Sequence, residues 1–260
     1  MILLGLAFGV VNEGMAAHSL FDPNWPALGA LMGYGRAAGV NWIWAEWIVP
    51  FHAVWSISFP IFLAGEFWPD ARNARLLTDR WTAVLAPVPV VAAIADGFVF
   101  GSYPLSALAW TGLFAATACF VAVALRWGPR LGRIHLRPGW TPRPWQGAVL
   151  VLAFFAIGQV GTWRMPSVTS SAVVAFVVLG AAYLALGLLA TAFDATAAGE
   201  RARFAGVLAG VGFYVALSPI AEFAGGRIGL VPIDVTLFVL LLAMYRRRTR
   251  PPPAAGPTPG

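Results

Sequence analysis

The sequence predicts an all-α protein, a polytopic transmembrane bundle of about eight helices. Of its 260 residues, 59% are hydrophobic and only 11% are charged, whereas a soluble domain carries about 25% charged residues. The apolar residues fall into eight long runs, and most arginines lie between the runs. Water is a poor solvent for such a chain, so we expect membrane lipids to surround it.

Each run has about the length that a helix needs to cross a hydrocarbon core of about 30 Å. The runs are 1–20, 40–64, 81–100, 104–126, 145–163, 170–193, 204–224 and 228–245. The first run is the least typical, because it contains Asn12, Glu13 and His18, and a signal peptide is the alternative reading. It has no basic flank and no convincing cleavage site, so we predict a membrane helix. Residues 1–245 are predicted to form one transmembrane bundle.

The arginines predict the side of the membrane that each connection faces, because basic residues accumulate in cytoplasmic loops. With eight helices, fourteen of the 17 basic residues fall on one side. The other side has only Arg36, Arg164 and Arg227. We therefore predict a protein of the cytoplasmic (inner) membrane with both termini in the cytoplasm. Residues 246–260 are first basic and then rich in Pro and Gly, which predicts a disordered cytoplasmic tail.

Composition also argues against several functions. All 17 basic residues are Arg, and both retinal and pyridoxal phosphate need a Lys Schiff base, so neither cofactor is expected. The single Cys119 can form no intrachain disulfide and no site built from several thiolates. The net charge of +6 comes from short Arg clusters that would face lipid headgroups, so we expect no nucleic-acid partner.

Two segments carry structural signals. The connection 21–39 is longer than its neighbours and contains Pro23 and Pro26, which predicts an interfacial loop or a short amphipathic helix on the outer surface. Run seven contains Gly206 and Gly210 at GxxxG spacing, which allows helices to approach closely. Internal packing is favoured over dimerisation. No internal repeat is visible, which disfavours a transporter built from inverted repeats.

Ionisable residues are costly within a bilayer and usually face a bundle interior, so their positions are informative about function. In the predicted topology they concentrate in the outer halves of runs one, two, three, seven and eight, which predicts a polar cavity open to the outside. The first-choice catalytic residues are Glu13, His18, Glu46 and His52. The expected substrate-binding residues are Asp22, Asn41, Asp96, Glu222 and Asp234. For Asp22, Asp96, Glu222 and also Arg164, contact with headgroups or water is the alternative.

Proline residues lie close to three of these acids. A helical Pro removes one backbone hydrogen bond and clashes with the carbonyl group four residues earlier. Pro50 is therefore expected to disturb the backbone at Glu46. Pro219 and Pro232 lie shortly before the acids of runs seven and eight. Broken helices that line a cavity have this composition, and so do simple packing kinks.

One hypothesis for the chemistry is a divalent metal held by His18, His52 and Glu13, because His with carboxylate is a usual ligand set. Eight helices with intramembrane Glu and His resemble the membrane-embedded metalloproteases in general plan. The HExxH and paired EE motifs are absent, so no role is transferred from that resemblance. Glu13 and His18 also lie about 140° apart around a regular helix, and sharing one face would require distortion.

A second hypothesis pairs His52 as a base with Ser56 as a nucleophile, four residues later on the same helix face. The alternative is a serine bonded to its own helix backbone. The leading prediction is a metal- or acid/base-dependent membrane enzyme that acts on a lipid-borne or membrane-inserted substrate. A proton- or cation-coupled transporter would use the same acids. A structural or assembly subunit would use them to bridge helices.

Overall fold

A computed structural model of the chain is an all-α helical bundle, as predicted. It describes residues 1–71, 77–101, 103–131, 141–191, 193, 197–225 and 230–249. The α-helices are α1 (Ile2–Val10), α2 (Trp42–Phe51), α3 (Phe59–Phe67), α4 (Asp79–Leu85), α5 (Val88–Phe100), α6 (Ala107–Leu131), α7 (Pro144–Ala156), α8 (Thr162–Val168), α9 (Ala172–Ala190), α10 (Ala197–Gly225) and α11 (Leu230–Thr249). Three π-helical segments continue α1, α2 and α7: π1 (Val11–Ala16), π2 (His52–Ser58) and π3 (Ile157–Gly161). Short 3-10 turns cover Gly29–Leu31 and Pro69–Ala71.

Six helical stretches of the described residues are long and apolar enough to cross a membrane. They are Trp42–Phe67, Asp79–Val99, Ala107–Gly128, Pro144–Val168, Ala172–Ala190 and Ala198–Ile220. Each overlaps one of the predicted runs two to seven. Many large apolar side chains on these helices are exposed, among them Val173 and Val177 on α9. Such helices are compatible with a multi-pass membrane protein, in which lipid would cover this surface.

The first and last predicted runs are helical but shorter or more charged, so the count of eight spans is not confirmed. The first is the short apolar stretch Ile2–Ala16. The predicted run extended to residue 20, but the helix ends earlier. His18 lies beyond the helix and adopts a φ of +58°, a left-handed value that is uncommon for a residue other than glycine.

The last helix also differs from its predicted bounds. The predicted run ends at residue 245, but α11 continues through Arg246 and Arg247 to Thr249. The first residues of the predicted disordered tail are therefore helical. Residues 250–260 lie outside the described residues, so disorder there stays a prediction.

The chain forms two compact units. Unit 1 comprises Met1–Ile134 and Ala156–Ala185, and unit 2 comprises His135–Phe155 and Leu186–Gly260. A single bundle over 1–245 stays a prediction. Within unit 2, a Cβ atom placed on Gly206 of α10 would lie 3.0 Å from the carbonyl oxygen of Gly147 in α7. Gly206 therefore serves internal helix packing, as its spacing suggested.

Small residues bring α1 against the helix formed by α2 and π2 in unit 1. A Cβ atom on Gly5 would lie 2.6 Å from the Cα atom of Ala53, and one on Gly9 would lie 2.7 Å from the carbonyl oxygen of Val49. The two glycines therefore let the helix backbones touch, which is the GxxxG mode of association. This close approach allows the side chain of Glu13 in π1 to reach His52 in π2.

The connection 21–39 is an ordered loop rather than a helix. It ends in a two-stranded antiparallel ribbon of β1 (Arg36–Ala37) and β2 (Val40–Asn41). Gly39, with a φ of +80°, supplies the left-handed conformation that the turn between these strands requires. The Arg36 guanidinium donates to the carbonyl oxygens of Phe21 (2.7 Å) and Gly39 (2.8 Å). These bonds hold the two ends of the loop together.

Candidate functional site

Glu13 and His52 both lie where their helices depart from α-helical geometry. Glu13 belongs to π1, and His52 is the first residue of π2. Pro50, inside α2, has no N–H to donate, which loosens the turn that leads into π2. Single-turn π-helical insertions are rare in proteins, and those that occur often lie at functional sites. Two of the four first-choice catalytic residues therefore lie in π-helical segments.

The two side chains form a hydrogen-bonded pair between the helices. Nε2 of His52 lies 2.7 Å from Oε1 of Glu13. The side chains are only 13% and 9% exposed, respectively. A carboxylate and an imidazole that are both removed from water interact more strongly than the same pair at a surface.

Glu13 accepts two further side-chain hydrogen bonds. Asn12 Nδ2 donates to Oε1 over 3.0 Å, and Ser19 Oγ donates to Oε2. Ser19 Oγ also accepts from the indole N–H of Trp44 over 3.0 Å. With His52, three donors converge on two carboxylate oxygens, which suits an ionised carboxylate because that group only accepts. The buried charge is compensated by these donors.

Ser56 bonds to the second ring nitrogen of His52. Nδ1 lies 2.9 Å from Ser56 Oγ. With Glu13 ionised, Nε2 carries the proton and donates to the carboxylate, so Nδ1 accepts the hydroxyl proton of Ser56. Asn12 Nδ2 also lies 3.2 Å from Nε2, but this tautomer makes that contact one between two donors. Ser56, His52 and Glu13 thus form a continuous line of hydrogen bonds.

His18 is engaged elsewhere. Its Nδ1 lies 2.7 Å from the carbonyl oxygen of Tyr103, so Nδ1 carries the proton. Its Nε2 is buried and has no hydrogen-bond partner among the described residues. That nitrogen faces α5, because a Cβ atom on Gly97 would lie 2.7 Å from it. His18 therefore packs against α5, and no hydrogen bond joins it to the Glu13–His52 pair.

Glu46 faces a different helix from His52. A Cβ atom on Gly180 of α9 would lie 2.5 Å from Oε1 of Glu46. Its Oε2 is buried without a hydrogen-bond partner in the described part of the chain. Six residues separate Glu46 from His52, which is about 9 Å along an ideal helix. The structure therefore does not draw Glu46 into the hydrogen-bonded line.

The metal hypothesis gains no support from these positions. The described residues contain no group of three or more His, Cys, Asp and Glu side chains that could hold a metal ion. The two imidazoles belong to the separate contacts described above. A divalent metal at His18, His52 and Glu13 stays a prediction.

Two of the expected substrate-binding residues hold backbone in place. Asn41 is fully buried; its Oδ1 accepts from the N–H of Trp44 over 3.0 Å and its Nδ2 donates to the carbonyl oxygen of Leu31 over 2.7 Å. Asp22 is buried as well, and its Oδ1 accepts from the N–H of Asn24 over 2.8 Å. The bond from the N–H of Trp44 to Asn41 is a helix N-cap, and the bond from the N–H of Asn24 to Asp22 is an Asx turn. Both stabilise the connection 21–39 and its junction with α2.

The remaining three expected residues belong to different parts of the chain. Asp96 is exposed on α5 of unit 1, and Asp234 is half-buried on α11 of unit 2. The side chain of Glu222 lies outside the described part of the chain. A single outer cavity that all of these residues share therefore stays a prediction.

Sequence reasoning missed three residues of the site, namely Asn12, Ser19 and Trp44. Ser19 contacts Glu13 because the chain turns back after π1. No helical spacing in the sequence predicts that contact. A usable signal was the Gly5 and Gly9 pair in run one, because GxxxG spacing predicts that this run packs closely on another.

Comparisons with protein-family models, with curated proteins and with solved structures find no match to this chain. The functional argument therefore depends on the chemistry of the Ser56–His52–Glu13 line. That line lies entirely within unit 1.

Proposed function

We propose that the protein is an acid/base-dependent membrane enzyme, in which His52 accepts a proton and Glu13 orients and stabilises it. The observation that carries the proposal is the continuous line of hydrogen bonds from Ser56 through His52 to Glu13. A base held by a third group is the arrangement that activates hydroxyl groups in many enzymes. Glu13 is in turn held by its other donors, so the line has one defined geometry.

The electrostatics favour proton transfer to Nδ1 of His52. When this nitrogen takes a proton, the ring becomes an imidazolium whose Nε2–H still points at Glu13, 2.7 Å away. The new positive charge therefore forms beside a carboxylate that is already in position. General base catalysis of this kind contributes about 10²- to 10⁴-fold to a rate.

A lipid-borne substrate follows from the position of the line. His52 and Ser56 lie in the stretch Trp42–Phe67, which is long and apolar enough to cross a membrane. The same stretch exposes large apolar side chains such as Ile61 and Phe67. A substrate dissolved in the bilayer reaches such a helix directly, whereas a water-soluble one must leave its solvent.

A proton-coupled transporter is the second candidate, and one observation favours it. The hydroxyl, imidazole and carboxylate groups of Ser56, His52, Glu13 and Ser19 adjoin one another, as groups that pass protons must. The third candidate, a structural subunit, would use the Glu13–His52 bond only to join two helices. When Glu13 or His52 is altered, the enzyme should lose its product, the transporter should lose proton movement, and the structural subunit should lose only stability.

The test compares the lipids of cells that produce the wild-type protein, Glu13→Gln or His52→Gln. The enzyme should generate a product lipid that untargeted mass spectrometry detects, and we expect about 100-fold less of it with either variant. Asp70→Asn, which neutralises an exposed acid of unit 1, should match the wild type. Identical lipid profiles in all four cases would refute the enzyme. If the wild-type protein, but neither the Glu13 nor the His52 variant, then moved protons into dye-loaded vesicles, this result would support the transporter.

A further inference from the structure

We infer that Ser56 is a nucleophile activated by His52, and that the substrates are carboxylic esters or thioesters of membrane lipids. The inference rests on the proposed function and names the bond on which the site acts. It depends on three observations about Ser56: its distance to the base, the lack of a competing bond from any residue that the structure describes, and its partial exposure in an apolar helix.

The distances match those of an activated hydroxyl. Ser56 Oγ lies 2.9 Å from Nδ1 of His52, and Nε2 lies 2.7 Å from Glu13. A nucleophile and its base are expected at about 2.6–3.2 Å, with a third group holding the base. The ring is turned relative to the common serine triads, in which the hydroxyl faces Nε2. The donors and acceptors are nevertheless the same along the line.

The turned ring has a simple cause. Nδ1 is the nitrogen nearer to the His52 backbone, so it reaches a residue four positions along the same helix. Nε2 is at the tip of the ring, so it reaches across to Glu13 in π1. The close packing at Gly5 and Gly9 brings the two helices near enough for that second contact.

Ser56 has no competing hydrogen bond among the described residues. Serine in a membrane helix commonly donates to a carbonyl oxygen of its own helix. Ser58 does so, because its Oγ lies 2.7 Å from the carbonyl oxygen of Ala53. Within the described ranges, the bond of Ser56 Oγ is the one to His52. The alternative to a nucleophile was a serine that bonds to its own helix backbone. That description applies to Ser58, which therefore serves as a matched control.

The surroundings of Ser56 suit an acyl chain. The residue is half-buried, so its hydroxyl is neither sealed in the core nor fully in solvent. The adjacent Trp55 stacks on Phe51, with ring centroids 6.3 Å apart. These rings give the helix that carries Ser56 an apolar surface, on which the hydrocarbon chain of a lipid ester buries favourably.

The reaction balances without an oxidant or reductant. Ser56 Oγ attacks the carbonyl carbon of the ester while its proton moves to Nδ1 of His52. The bond from that carbon to the leaving oxygen or sulfur breaks, the imidazolium returns the proton to the leaving group, and the acyl group remains on Ser56. Water then attacks the acyl carbon and gives a proton to His52, which passes it to Ser56 Oγ as the fatty acid departs.

An alkyl fluorophosphonate tests this directly, since an activated serine displaces fluoride and forms a stable bond to phosphorus. With the full chain in lipid vesicles, we expect one adduct, located on Ser56 by peptide mass spectrometry. Labelling should be absent in Ser56→Ala and about 100-fold slower in His52→Gln. Ser58→Ala should label like the wild type. Denatured wild-type protein keeps Ser56 but loses its contact with His52, so it should not label.

The outcomes separate this inference from the proposed function. Absence of an adduct on Ser56, or equal labelling in His52→Gln and wild type, overturns Ser56 as the nucleophile. A lipid change that persists in Ser56→Ala but disappears in His52→Gln would also refute this inference, while the acid/base enzyme would stand. An adduct on Ser56 without any lipid change would support the activated serine and refute the lipid substrate.

Discussion

Replacing Glu13 by Gln should separate catalysis from folding, because Gln keeps the shape of the side chain and removes its charge. An amide oxygen in place of Oε1 still accepts from His52 and Asn12. The amide nitrogen then faces Ser19 Oγ, which has a lone pair to accept from it. The Ser19 proton can turn to the backbone carbonyl oxygen of Glu13, 3.4 Å away. No buried group loses its partner.

The expected change in the free energy of unfolding is therefore small. Hydrogen bonds to a charged group contribute about 1.5–3 kcal/mol and neutral ones about 0.5–1.5 kcal/mol, so three bonds together weaken by about 3–4.5 kcal/mol. The variant also no longer buries a carboxylate, whose desolvation costs several kcal/mol. These terms offset, and we expect a net change of about 1 kcal/mol or less.

Glu13→Ala provides the contrast, because it leaves Asn12 and His52 without this acceptor and leaves Ser19 only the backbone carbonyl oxygen of residue 13, 3.4 Å away. Ser19 is fully buried, and Asn12 and His52 are half-buried. An unmade bond costs about 1–3 kcal/mol for each group, so the two unmade bonds should lower stability by about 2 kcal/mol or more. Both variants should lose the reactivity of Ser56 towards the fluorophosphonate by about 100-fold, since the imidazolium has lost its counter-charge.

The assay pairs two measurements on protein purified in detergent. Thermal unfolding followed by circular dichroism reports stability, and the rate of phosphonylation reports activation of the serine. If Glu13→Gln were as unstable as Glu13→Ala, the carboxylate would be mainly structural. If Glu13→Gln reacted at the wild-type rate, Glu13 would not support the base, and the proposed roles in the line would be wrong.

Three further predictions concern the scaffold and its orientation. Asn41→Ala removes the cap of α2 and should lower stability by about 1–2 kcal/mol, measured by thermal unfolding. Gly97→Ala places a methyl group against the backbone of π1 and the ring of His18. Because this backbone cannot move aside, size-exclusion chromatography should no longer yield a monodisperse protein. A Cys at Ser167 should react with an impermeant thiol reagent from outside, and one at Thr249 only after permeabilisation.

Each of these has a control. Asn24→Ala alters an exposed side chain and should leave the unfolding temperature unchanged. Gly112→Ala adds a methyl group where no atom lies within 4 Å and should yield intact protein. The thiol experiment uses a Cys119→Ala background, because that cysteine is exposed. Equal effects in a variant and its control would contradict the packing argument, and the opposite labelling pattern would overturn the predicted sidedness.

The fold class and most helix positions were predictable because they depend on local composition. Runs two to seven coincide with the six stretches that are long and apolar enough to span a membrane. The bounds of runs one and eight were less accurate for local reasons. Polar residues shorten the first helix before His18, and α11 continues into Arg246 because arginine is a good helix former.

The site was only partly predictable. Glu13, His52 and Ser56 were recognised as unusual residues for a membrane helix, and the i, i+4 spacing of the last two foretold their contact. The sequence predicted His18 and Glu46 as catalytic residues on the same grounds as Glu13 and His52. Their separation from the pair depends on the direction in which each side chain leaves its helix, which hydrophobicity does not report.

The sequence by itself determined that this chain forms apolar helices, because about 20 consecutive apolar residues favour a membrane helix wherever they occur in a fold. Only the tertiary structure decided which polar side chains meet. The contacts at Gly5 and Gly9 set how closely α1 approaches α2, and the segments π1 and π2 set the rotation of Glu13 and His52 towards each other. These quantities depend on residues about 40 positions apart in the chain, so no local pattern can specify them.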